Sequence, residues 1–397
     1  MNKIKVIMLS CLSLKGLDDG TIIRGVDNYE EKLKFYLSKN EGIEIHMIKI
    51  GRKNKTIRKD NLIVHSLKKE PKLPIFSFIL ILLKMKRKII EINPDILHIF
   101  STGCIYGALA LLFQKKYASM ITAYGIIEKE SKYYRADYTK DFLRYMTHLA
   151  LTIPRKIYER LLLARIENII VDSKSIKELV SSWTNSKIYV IAAGVEYDKV
   201  KKSNNNNSNT NMSNEKVDIF FVNNLQEIKG ADVLIKSVLL VKDSFTDINV
   251  YIAGIGPQKK KLKKLVKELN LEKNVKFLGF VSNKEKYYYY SVCKIVVIPS
   301  RWDCQPAAFF DAAALAKPVI ASDMSNPDVL INKKTGLIFK SEDFEDLAKK
   351  IKILLKNKYK REEMGINAQK NIVQYDWNEV ANCYFNTYKK IIKNFYK

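Results

Sequence analysis

The chain has too few cysteines for a disulfide framework. Only five of its 397 residues are cysteine, the number is odd, and no Cys-x-x-Cys pair is present. Small secreted domains and structural zinc sites both depend on closely spaced pairs of cysteines. The sequence therefore predicts a protein of a reducing compartment, without disulfides or structural zinc.

Long apolar runs are missing as well. The longest candidate, residues 75–83, stops at Lys84, whereas a membrane-spanning helix needs about 18–20 apolar residues. The opening stretch MNKIKVIMLSCLSLKG alternates apolar and polar residues, which is typical of a first β-strand and not of a signal peptide. We therefore expect a cytoplasmic protein, either soluble or peripheral at the inner face of the cell membrane.

Apolar core material and positive charge are abundant. Hydrophobic residues make up 47% of the chain, which excludes a disordered protein. At about 100–200 residues per domain, the length predicts two or three domains. The net charge of +27 has two explanations. It reflects either a lysine-rich composition with solvated helix faces, or an acidic partner such as nucleotide phosphates, anionic lipid or nucleic acid.

Strand-like and helix-like segments alternate along the chain and are interrupted once. Strands such as IKVIMLS and DILHIF alternate with amphipathic segments such as YEEKLKFYLSK. The polar run KKSNNNNSNTNMSNEK, residues 201–216, has nothing to bury and predicts a linker. After it the alternation resumes, with helices predicted at 230–243, 257–270, 306–316 and 343–357.

This alternation predicts an α/β fold of two Rossmann-like, doubly wound domains. The first domain spans residues 1–200 and the second spans 217–375, and a C-terminal helix at 376–397 follows. Ligands bind such sheets at the carboxyl ends of their strands. The sequence therefore favours a small-molecule enzyme whose site lies in a cleft between the two domains.

The most informative stretch is PSRWDCQPAAFFDAAALAKPVIAS, residues 299–322. A buried strand ends at Ser300, a loop carries Asp303, and a helix begins near Pro306 with Asp311 in its second turn. Free N–H groups at a helix start attract phosphate, and carboxylates accept hydrogen bonds from sugar hydroxyls. Taken alone, two aspartates at this spacing are a weak signal, and an ordinary loop acid and a solvated helix acid explain them more simply.

The same stretch resembles the signature of the retaining GT-B glycosyltransferases of family four, P-S-x-x-E-G-x-x-x-x-x-x-E-A-x-A-x-G-x-P-V-I-A. Asp303 and Asp311 stand in register with the two acids. The resemblance implies that Asp303 contacts the transferred sugar and that Asp311 contacts the ribose of the nucleotide. It also implies donor contacts from four residues of the intervening loop and helix start: Cys304, Gln305, Pro306 and Ala307.

Further motifs extend the resemblance over nearly the whole chain. FFVNNLQEIKGADVLIKS resembles F-V-G-R-L-x-x-E-K-G-x-D-x-L-I, which implies that Lys229 neutralises the donor diphosphate and puts Asn224 where the family has arginine. In YIAGIGPQKK, Gly256 would approach the nucleotide. Gly25 would approach the donor phosphate, and Tyr124 takes the position of a cleft histidine, from which it could donate to a sugar or phosphate oxygen.

The resemblance implies a GT-B fold whose C-terminal helix, here residues 376–397, crosses back to the first domain. It also implies a metal-independent hexosyltransferase. It would move a hexose-type sugar from a UDP- or GDP-linked donor to a hydroxyl of a glycan or lipid-linked acceptor, in polysaccharide or glycolipid biosynthesis. The nucleotide-sugar is a substrate, so no cofactor is expected. No metal is expected, since the chain lacks Asp-x-Asp. His46, His65 and His148 show no metal-ligand spacing and are predicted to be ordinary core or surface residues.

Three alternatives stay open. The first is a catalytically impaired GT-B relative that acts as a sugar-nucleotide-binding or partner subunit, which Asn224 and Tyr124 suggest. The second is a hydrolysing nucleotide-sugar epimerase of the same fold. The third is a nucleic-acid-binding protein, although the chain contains no recognisable binding module and no nucleic-acid partner is expected.

A basic segment is independent of the family signature. Residues 52–88 contain twelve basic and two acidic residues. Its apolar run leads directly into a cluster of four cations: Lys84, Lys86, Arg87 and Lys88. The segment is either a core helix with a solvated basic end or an in-plane helix that binds an anionic membrane surface through residues 67–90.

Overall fold

The computed structural model describes residues 3–10, 25–51, 53–68, 74–102, 106–138, 142–205, 215–325 and 328–397. The chain forms two compact units. The first contains the residues up to Ile127 together with Ile153–Ala193 and Trp377–Lys397, and the second contains Glu128–Thr152 and Gly194–Asp376.

The first unit is built on an eight-stranded sheet. Its strands are β1 (Ile4–Ser10), β2 (Ile43–Gly51), β3 (Lys55–Lys59), β4 (Leu62–Lys68), β5 (Ile96–Phe100), β6 (Ala118–Ala123), β7 (Asn168–Val171) and β8 (Lys187–Val190). They are arranged in the order β3-β4-β2-β1-β5-β6-β7-β8, and only β3 runs antiparallel to its neighbour. Every residue of β5, β6 and β7 is buried, as expected for parallel strands covered on both faces.

The second unit is built on a six-stranded parallel sheet. Its strands are β9 (Ile219–Val222), β10 (Val250–Ala253), β11 (Val275–Gly279), β12 (Ile295–Ile298), β13 (Val319–Ser322) and β14 (Gly336–Phe339). The strand order is β11-β10-β9-β12-β13-β14, the order of a dinucleotide-binding Rossmann sheet. The order reverses between β9 and β12, and ligands of such sheets bind beyond the carboxyl ends of the strands at this point.

Helices connect the strands of both sheets. They are α1 (Gly25–Ser38), α2 (Pro74–Ile92), α3 (Gly107–Phe113), α4 (Ile127–Tyr138), α5 (Phe142–Arg165), α6 (Lys174–Ser181), α7 (Tyr197–Asn205), α8 (Ala231–Lys242), α9 (Lys259–Glu268), α10 (Asn283–Val292), α11 (Ala307–Ala314), α12 (Phe344–Lys356), α13 (Lys358–Ile372) and α14 (Trp377–Phe395). The helices α8, α9, α11 and α12 confirm the four helices predicted for the second domain, with slightly shorter ends.

The C-terminal helix α14 packs on the first unit. It contacts α1, and its side chains Trp377, Tyr384 and Tyr388 are buried in the core of that unit. The hydroxyls of Tyr29 and Tyr384 are 3.1 Å apart, and His98 Nδ1 lies 2.8 Å from the Tyr388 hydroxyl. The structure thus confirms both the two Rossmann-like sheets and the return of the C-terminal helix to the first domain.

The beginning of the predicted linker is helical. Helix α7 continues to Asn205 and so occupies the beginning of the predicted linker 201–216, of which residues 206–214 lie outside the described part. Val200 of this helix is buried, and α7 packs against α10 and α11 of the second unit. The polar composition of the run concealed this helix, because among the side chains that are described in α7 only Val200 is buried.

Helix α2 covers part of the basic segment. Its residues Ile81, Met85 and Ile89 are buried at helical spacing, which confirms a core-facing helix for this part. Leu83 and Ile90 lie on the opposite side and are 47% and 44% exposed. No helix within the described ranges is long and apolar enough to cross a membrane.

Candidate active site

The loops after β9 and β12 bring together Lys229 and Asp303. Lys229 Nζ donates to Asp303 Oδ2 at 2.6 Å, and both side chains are mostly buried. Burial alone would lower the pKa of Lys229, but the charge of Asp303 and its hydrogen bond outweigh burial and raise it. Lys229 is therefore held as an ammonium ion at the switch point of the sheet.

A glycine fixes the turn that carries Lys229. The chain leaves β9 through a 3₁₀ turn, Glu227–Lys229, and continues into α8 through Gly230. Gly230 has a φ of 66°, and a Cβ at this position would lie 1.9 Å from the carbonyl oxygen of Pro299. Only glycine allows this left-handed conformation and this close approach. The contact holds the Lys229 turn against the end of β12.

The second predicted acid, Asp311, is paired with a lysine that the sequence analysis missed. Asp311 lies in the second turn of α11, and its Oδ2 accepts a hydrogen bond from Lys286 Nζ at 2.7 Å. Lys286 lies in the first turn of α10, which begins with a capping box formed by Ser282 and Glu285. That Ser-x-x-Glu pattern was the available signal, because it fixes where α10 begins and therefore where Lys286 lies.

The loops after β9 and β10 pack backbone against backbone. A Cβ on Gly256 would lie 2.4 Å from the Leu225 carbonyl oxygen, and one on Gly254, whose φ is 141°, would lie 1.9 Å from the Asn223 carbonyl oxygen. The Leu225 amide also donates to Ile255 O at 2.9 Å. This packing places Gly256 beside the loop that carries the exposed Asn224.

The loop that enters α11 is only partly exposed. Cys304 and Pro306 are buried, Gln305 is half-buried and Ala307, the first residue of α11, is exposed. Beside them Trp302 is buried, and Lys129 Nζ lies 5.9 Å from the centre of its ring. The first N–H groups of a helix have no partner within it, so the start of α11 offers donors next to Asp303.

A buried arginine, also missed by the sequence analysis, lies behind these loops. Both terminal nitrogens of Arg301 donate to Asp232, Nη1 at 2.9 Å and Nη2 at 2.7 Å. Its Nε donates to Glu342 at 2.7 Å, and Nη1 also donates to the Glu227 carbonyl oxygen at 2.6 Å. The arginine occupies an unspecified position of the family signature, so the motif gave no signal for it.

Three aspartates of these loops and helices each face a cation. Asp303 pairs with Lys229, Asp311 with Lys286, and Asp232 with Arg301. In each of the first two pairs the ammonium group and the carboxylate lie less than 3 Å apart. The ammonium group can bind a phosphate, and the carboxylate can accept a hydrogen bond from a hydroxyl. In the described part of the chain, no three His, Cys, Asp or Glu side chains lie together in a way that could hold a metal ion.

Two predicted site residues belong to the first unit. Tyr124 packs its ring against those of Tyr29, with centroids 4.4 Å apart, and Phe100, at 5.9 Å. Its hydroxyl is buried, and burial raises the pKa of Tyr124 well above its usual value. This position in the aromatic core does not favour hydrogen bonding to a sugar. Gly25 is the first residue of α1, and residues 11–24 before it lie outside the described part.

Comparison with known families places these features in the GT-B class of glycosyltransferases. The family model described as Glycosyltransferase Family 4 matches residues 23–199, and the model described as Glycosyl transferases group 1 matches residues 202–371. The matches follow one another and together cover most of the chain. The chain belongs to the group 1 glycosyltransferases of family 4, a retaining family, and the predicted resemblance is confirmed.

Curated relatives are similar at modest identity. A poly(ribitol-phosphate) alpha-N-acetylglucosaminyltransferase of Staphylococcus aureus is 29% identical over 37% of this chain, and the alignment spans only 30% of that relative's length. An uncharacterized glycosyltransferase of Methanocaldococcus jannaschii is 26% identical over 90% of this chain and 91% of its own length.

Solved structures share the fold. Sucrose-phosphate synthase from Thermosynechococcus elongatus matches with a TM-score of 0.74 and 17% identity, over 99% of this chain and all of that one. Anabaena HepE, solved in complex with UDP, matches with a TM-score of 0.71 and 14% identity, over 98% of this chain and all of that one. At these identities the likeness shows the GT-B fold alone.

Proposed function

We propose that this protein is a retaining glycosyltransferase that moves a hexose-type sugar from a UDP- or GDP-linked donor to a hydroxyl of a glycan or lipid-linked acceptor. The observation that carries the proposal is the Lys229–Asp303 pair, 2.6 Å long, at the switch point of the second sheet. A protein that only binds the nucleotide needs a cation for the diphosphate. A carboxylate beside that cation can also accept hydrogen bonds from the transferred sugar, which favours an enzyme.

The two lysine–aspartate pairs have complementary roles in donor binding. Lys229 turns from Asp303 to the diphosphate, whose oxygens accept charge-assisted hydrogen bonds from its ammonium group. Asp303 then accepts hydrogen bonds from hydroxyls of the sugar, and Asp311 accepts them from the ribose. The first turn of α11, which begins at Ala307, supplies backbone N–H groups to the same phosphates.

The transfer itself proceeds on one face of the sugar. The bond between C1 and the leaving phosphate oxygen breaks, and the acceptor oxygen forms its bond to C1 on the same face. The proton of the acceptor hydroxyl passes to the leaving phosphate oxygen. The protein stabilises the charge that develops on the diphosphate and holds both sugars in position. No step requires the buried Tyr124 hydroxyl.

The relatives support the type of donor and acceptor. HepE was solved in complexes with UDP and UDP-glucose, and the S. aureus relative is named for transfer of N-acetylglucosamine to a poly(ribitol-phosphate). We therefore favour a UDP-linked hexose or N-acetylhexosamine as donor and a polymeric or lipid-linked polyol or glycan as acceptor.

The alternative is a sugar-nucleotide-binding subunit without transferase activity. Asn224 favours this alternative, because an uncharged side chain stands where a second cation is expected. A panel of UDP- and GDP-sugars separates the two functions. Specific thermal stabilisation by one donor, followed by transfer or slow hydrolysis of that sugar, supports the enzyme. Stabilisation without any release of nucleotide, with acceptors from total lipid and cell-wall glycan present, would support the subunit.

We also propose that the protein works at the cytoplasmic face of an anionic membrane. The predicted contact was residues 67–90, of which residues 69–73 lie outside the described part. Support comes from the exposed side of α2, where Leu83 and Ile90 lie with the exposed cations Lys86 and Arg87. Apolar side chains framed by cations suit the boundary between headgroups and acyl chains.

A further inference from the structure

Arg301 connects three loops at the carboxyl edge of the second sheet. Its side chain is only 9% exposed. From the loop after β12 it reaches the Glu227 carbonyl in the turn after β9, Asp232 in the first turn of α8, and Glu342 after β14. Its backbone N–H also donates to Ile228 O at 2.8 Å. The two loops that present Lys229 and Asp303 are thus joined by one residue.

The partner Glu342 is itself held in an unfavourable conformation. Its φ is 66°, in the left-handed region that glycine favours. A non-glycine residue keeps such a conformation only where its surroundings determine it. The contact with Arg301 Nε is one such determinant. The next loop is tied in as well, because Asp303 N donates to Met324 O at 3.1 Å and Ser341 N donates to Asp323 Oδ1 at 2.9 Å.

Arg301 makes these contacts as a stable ion. Burial alone would raise the pKa of Asp232, but the hydrogen bonds and charge of Arg301 outweigh burial and lower it. Four contacts engage Nε, Nη1 and Nη2 of the planar guanidinium, an arrangement that the point charge of lysine cannot reproduce. The side chain is directed at protein groups and has almost no exposed surface with which to touch a substrate.

We propose that Arg301 is a positioning residue that fixes the Lys229 turn and the Asp303 loop at the separation required for transfer. This inference rests on the proposed function. Transfer needs the diphosphate cation and the sugar-binding carboxylate at a set distance, and a displacement of about 1 Å is enough to cost roughly 100-fold in rate. Arg301 controls that distance from outside the substrate contacts.

The test compares Arg301→Lys with a matched control in the same sheet. Asp218 precedes β9 at the opposite edge, is 5% exposed and pairs with Lys294 at 2.7 Å, so Asp218→Asn also breaks an ion pair of a buried carboxylate. Both variants are assayed at a temperature at which each is fully folded. We expect Arg301→Lys to lower kcat about 10- to 100-fold with a smaller change in KM for the donor, and Asp218→Asn to leave both unchanged.

A milder variant keeps the test valid if Arg301→Lys does not fold. The Glu342 side chain is 63% exposed, so Glu342→Gln weakens the contact with Arg301 without burying a new group. It should lower kcat by several-fold and leave the melting temperature nearly unchanged. Equal kcat in parent, Glu342→Gln and Arg301→Lys would overturn the positioning role.

A double-mutant cycle shows whether Arg301 acts through Lys229. If it does, Arg301→Lys has little further effect on kcat in a Lys229→Met background; independent effects would multiply instead and contradict the inference. Failure of the proposed function gives a different result. In that case, no sugar nucleotide is turned over by the parent, or Lys229→Met and Asp303→Asn are both as active as the parent.

Discussion

Lys286 and Asp311 form an ion pair 2.7 Å long between the first turn of α10 and the second turn of α11. Their side chains are 21% and 15% exposed, so the pair is accessible to a ligand but shielded from bulk water. The lysine engages Oδ2, and because a carboxylate can accept about four hydrogen bonds, Asp311 keeps further acceptor capacity. The geometry therefore prepares Asp311 to accept hydrogen bonds.

Replacing Asp311 should weaken the binding of nucleotides. Asp311→Ala removes a charged acceptor for ribose hydroxyls, worth roughly 1.5–3 kcal/mol, which corresponds to about a 10- to 150-fold higher Kd for UDP or GDP. Lys286→Met keeps the acceptor and loses only its orientation, so its effect should be smaller. Isothermal titration calorimetry with the bare nucleotides measures both. A larger loss in Lys286→Met than in Asp311→Ala would show that the lysine, and not the acid, contacts the nucleotide.

Replacing the two members of the Lys229–Asp303 pair should have different effects. Lys229→Met removes the cation that faces the diphosphate, so both the affinity for UDP and kcat should fall. Asp303→Asn replaces the charged acceptor for the sugar by a weaker, neutral one, so kcat should fall at least tenfold while the Kd for bare UDP changes little. Steady-state kinetics and calorimetry on the same preparations separate the two. Similar effects of both variants on UDP affinity would contradict the separate roles.

The sequence analysis singled out residues that lie in continuous motifs and missed residues whose contacts are distant in the chain. Asp303, Asp311 and Lys229 each belong to a stretch whose strand, loop and helix could be read locally. Arg301 acts through Asp232 and Glu342, which are 69 and 41 positions away. No local spacing indicates such contacts, because they arise only when the loops after several strands meet at one edge of the sheet.

The position of Tyr124 shows the opposite limit. The family resemblance placed it in the site because it takes the position of a cleft histidine just after a strand, and it does follow β6. Its environment depends on Tyr29 in α1 and on the packing of α14, and both cover the ring with aromatic side chains. A polar atom at the end of a strand could therefore be predicted, but its burial could not.

A pair of buried histidines predicts that acid destabilises the first unit. His46 Nδ1 lies 3.0 Å from His65 Nε2, and His65 Nδ1 lies 3.2 Å from Thr56 Oγ1. Burial, with a smaller effect of the Lys88 charge, lowers the pKa of His65 from 6.5 to about 4. Between pH 6.5 and pH 4 the unfolded chain therefore binds more protons at His65 than the folded chain does. The free energy of unfolding is highest above about pH 6.5 and falls as the pH decreases toward 4.

The loss should amount to up to roughly 3 kcal/mol of unfolding free energy for His65. Urea denaturation followed at pH 7, 5.5 and 4 measures it. Because carboxylates also titrate in this range, the informative quantity is the difference between the parent and His65→Gln. The variant should be less stable than the parent at pH 7 and should lose less stability on acidification. Parallel pH profiles would contradict the assigned titration of His65.

The exposed side of α2 should bind anionic lipid. Each cation near such a surface is worth about 1 kcal/mol, so Lys86→Glu combined with Arg87→Glu should lower binding to phosphatidylglycerol vesicles at least tenfold. Leu83→Ser combined with Ile90→Ser should lower it as well, because their apolar surface enters the interface. Co-sedimentation with phosphatidylglycerol and phosphatidylcholine vesicles, at low and high salt, measures the effect.

A charge-matched variant separates this surface from a general effect of net charge. Lys260→Glu combined with Lys267→Glu changes the net charge by the same amount on α9, where both lysines are exposed and no large apolar side chain is. If α2 docks, this control keeps binding while both α2 variants lose it, and added salt weakens binding of the parent. Suppose instead that the α2 and α9 charge variants lose binding equally and that the Leu83→Ser, Ile90→Ser variant binds like the parent. The attraction would then be that of a basic protein in general, and α2 would not be the docking surface.

Absence of sedimentation of the parent with either lipid would contradict the membrane proposal. The transferase assignment would be unchanged, because it depends on Lys229, Asp303 and Asp311 in the second unit.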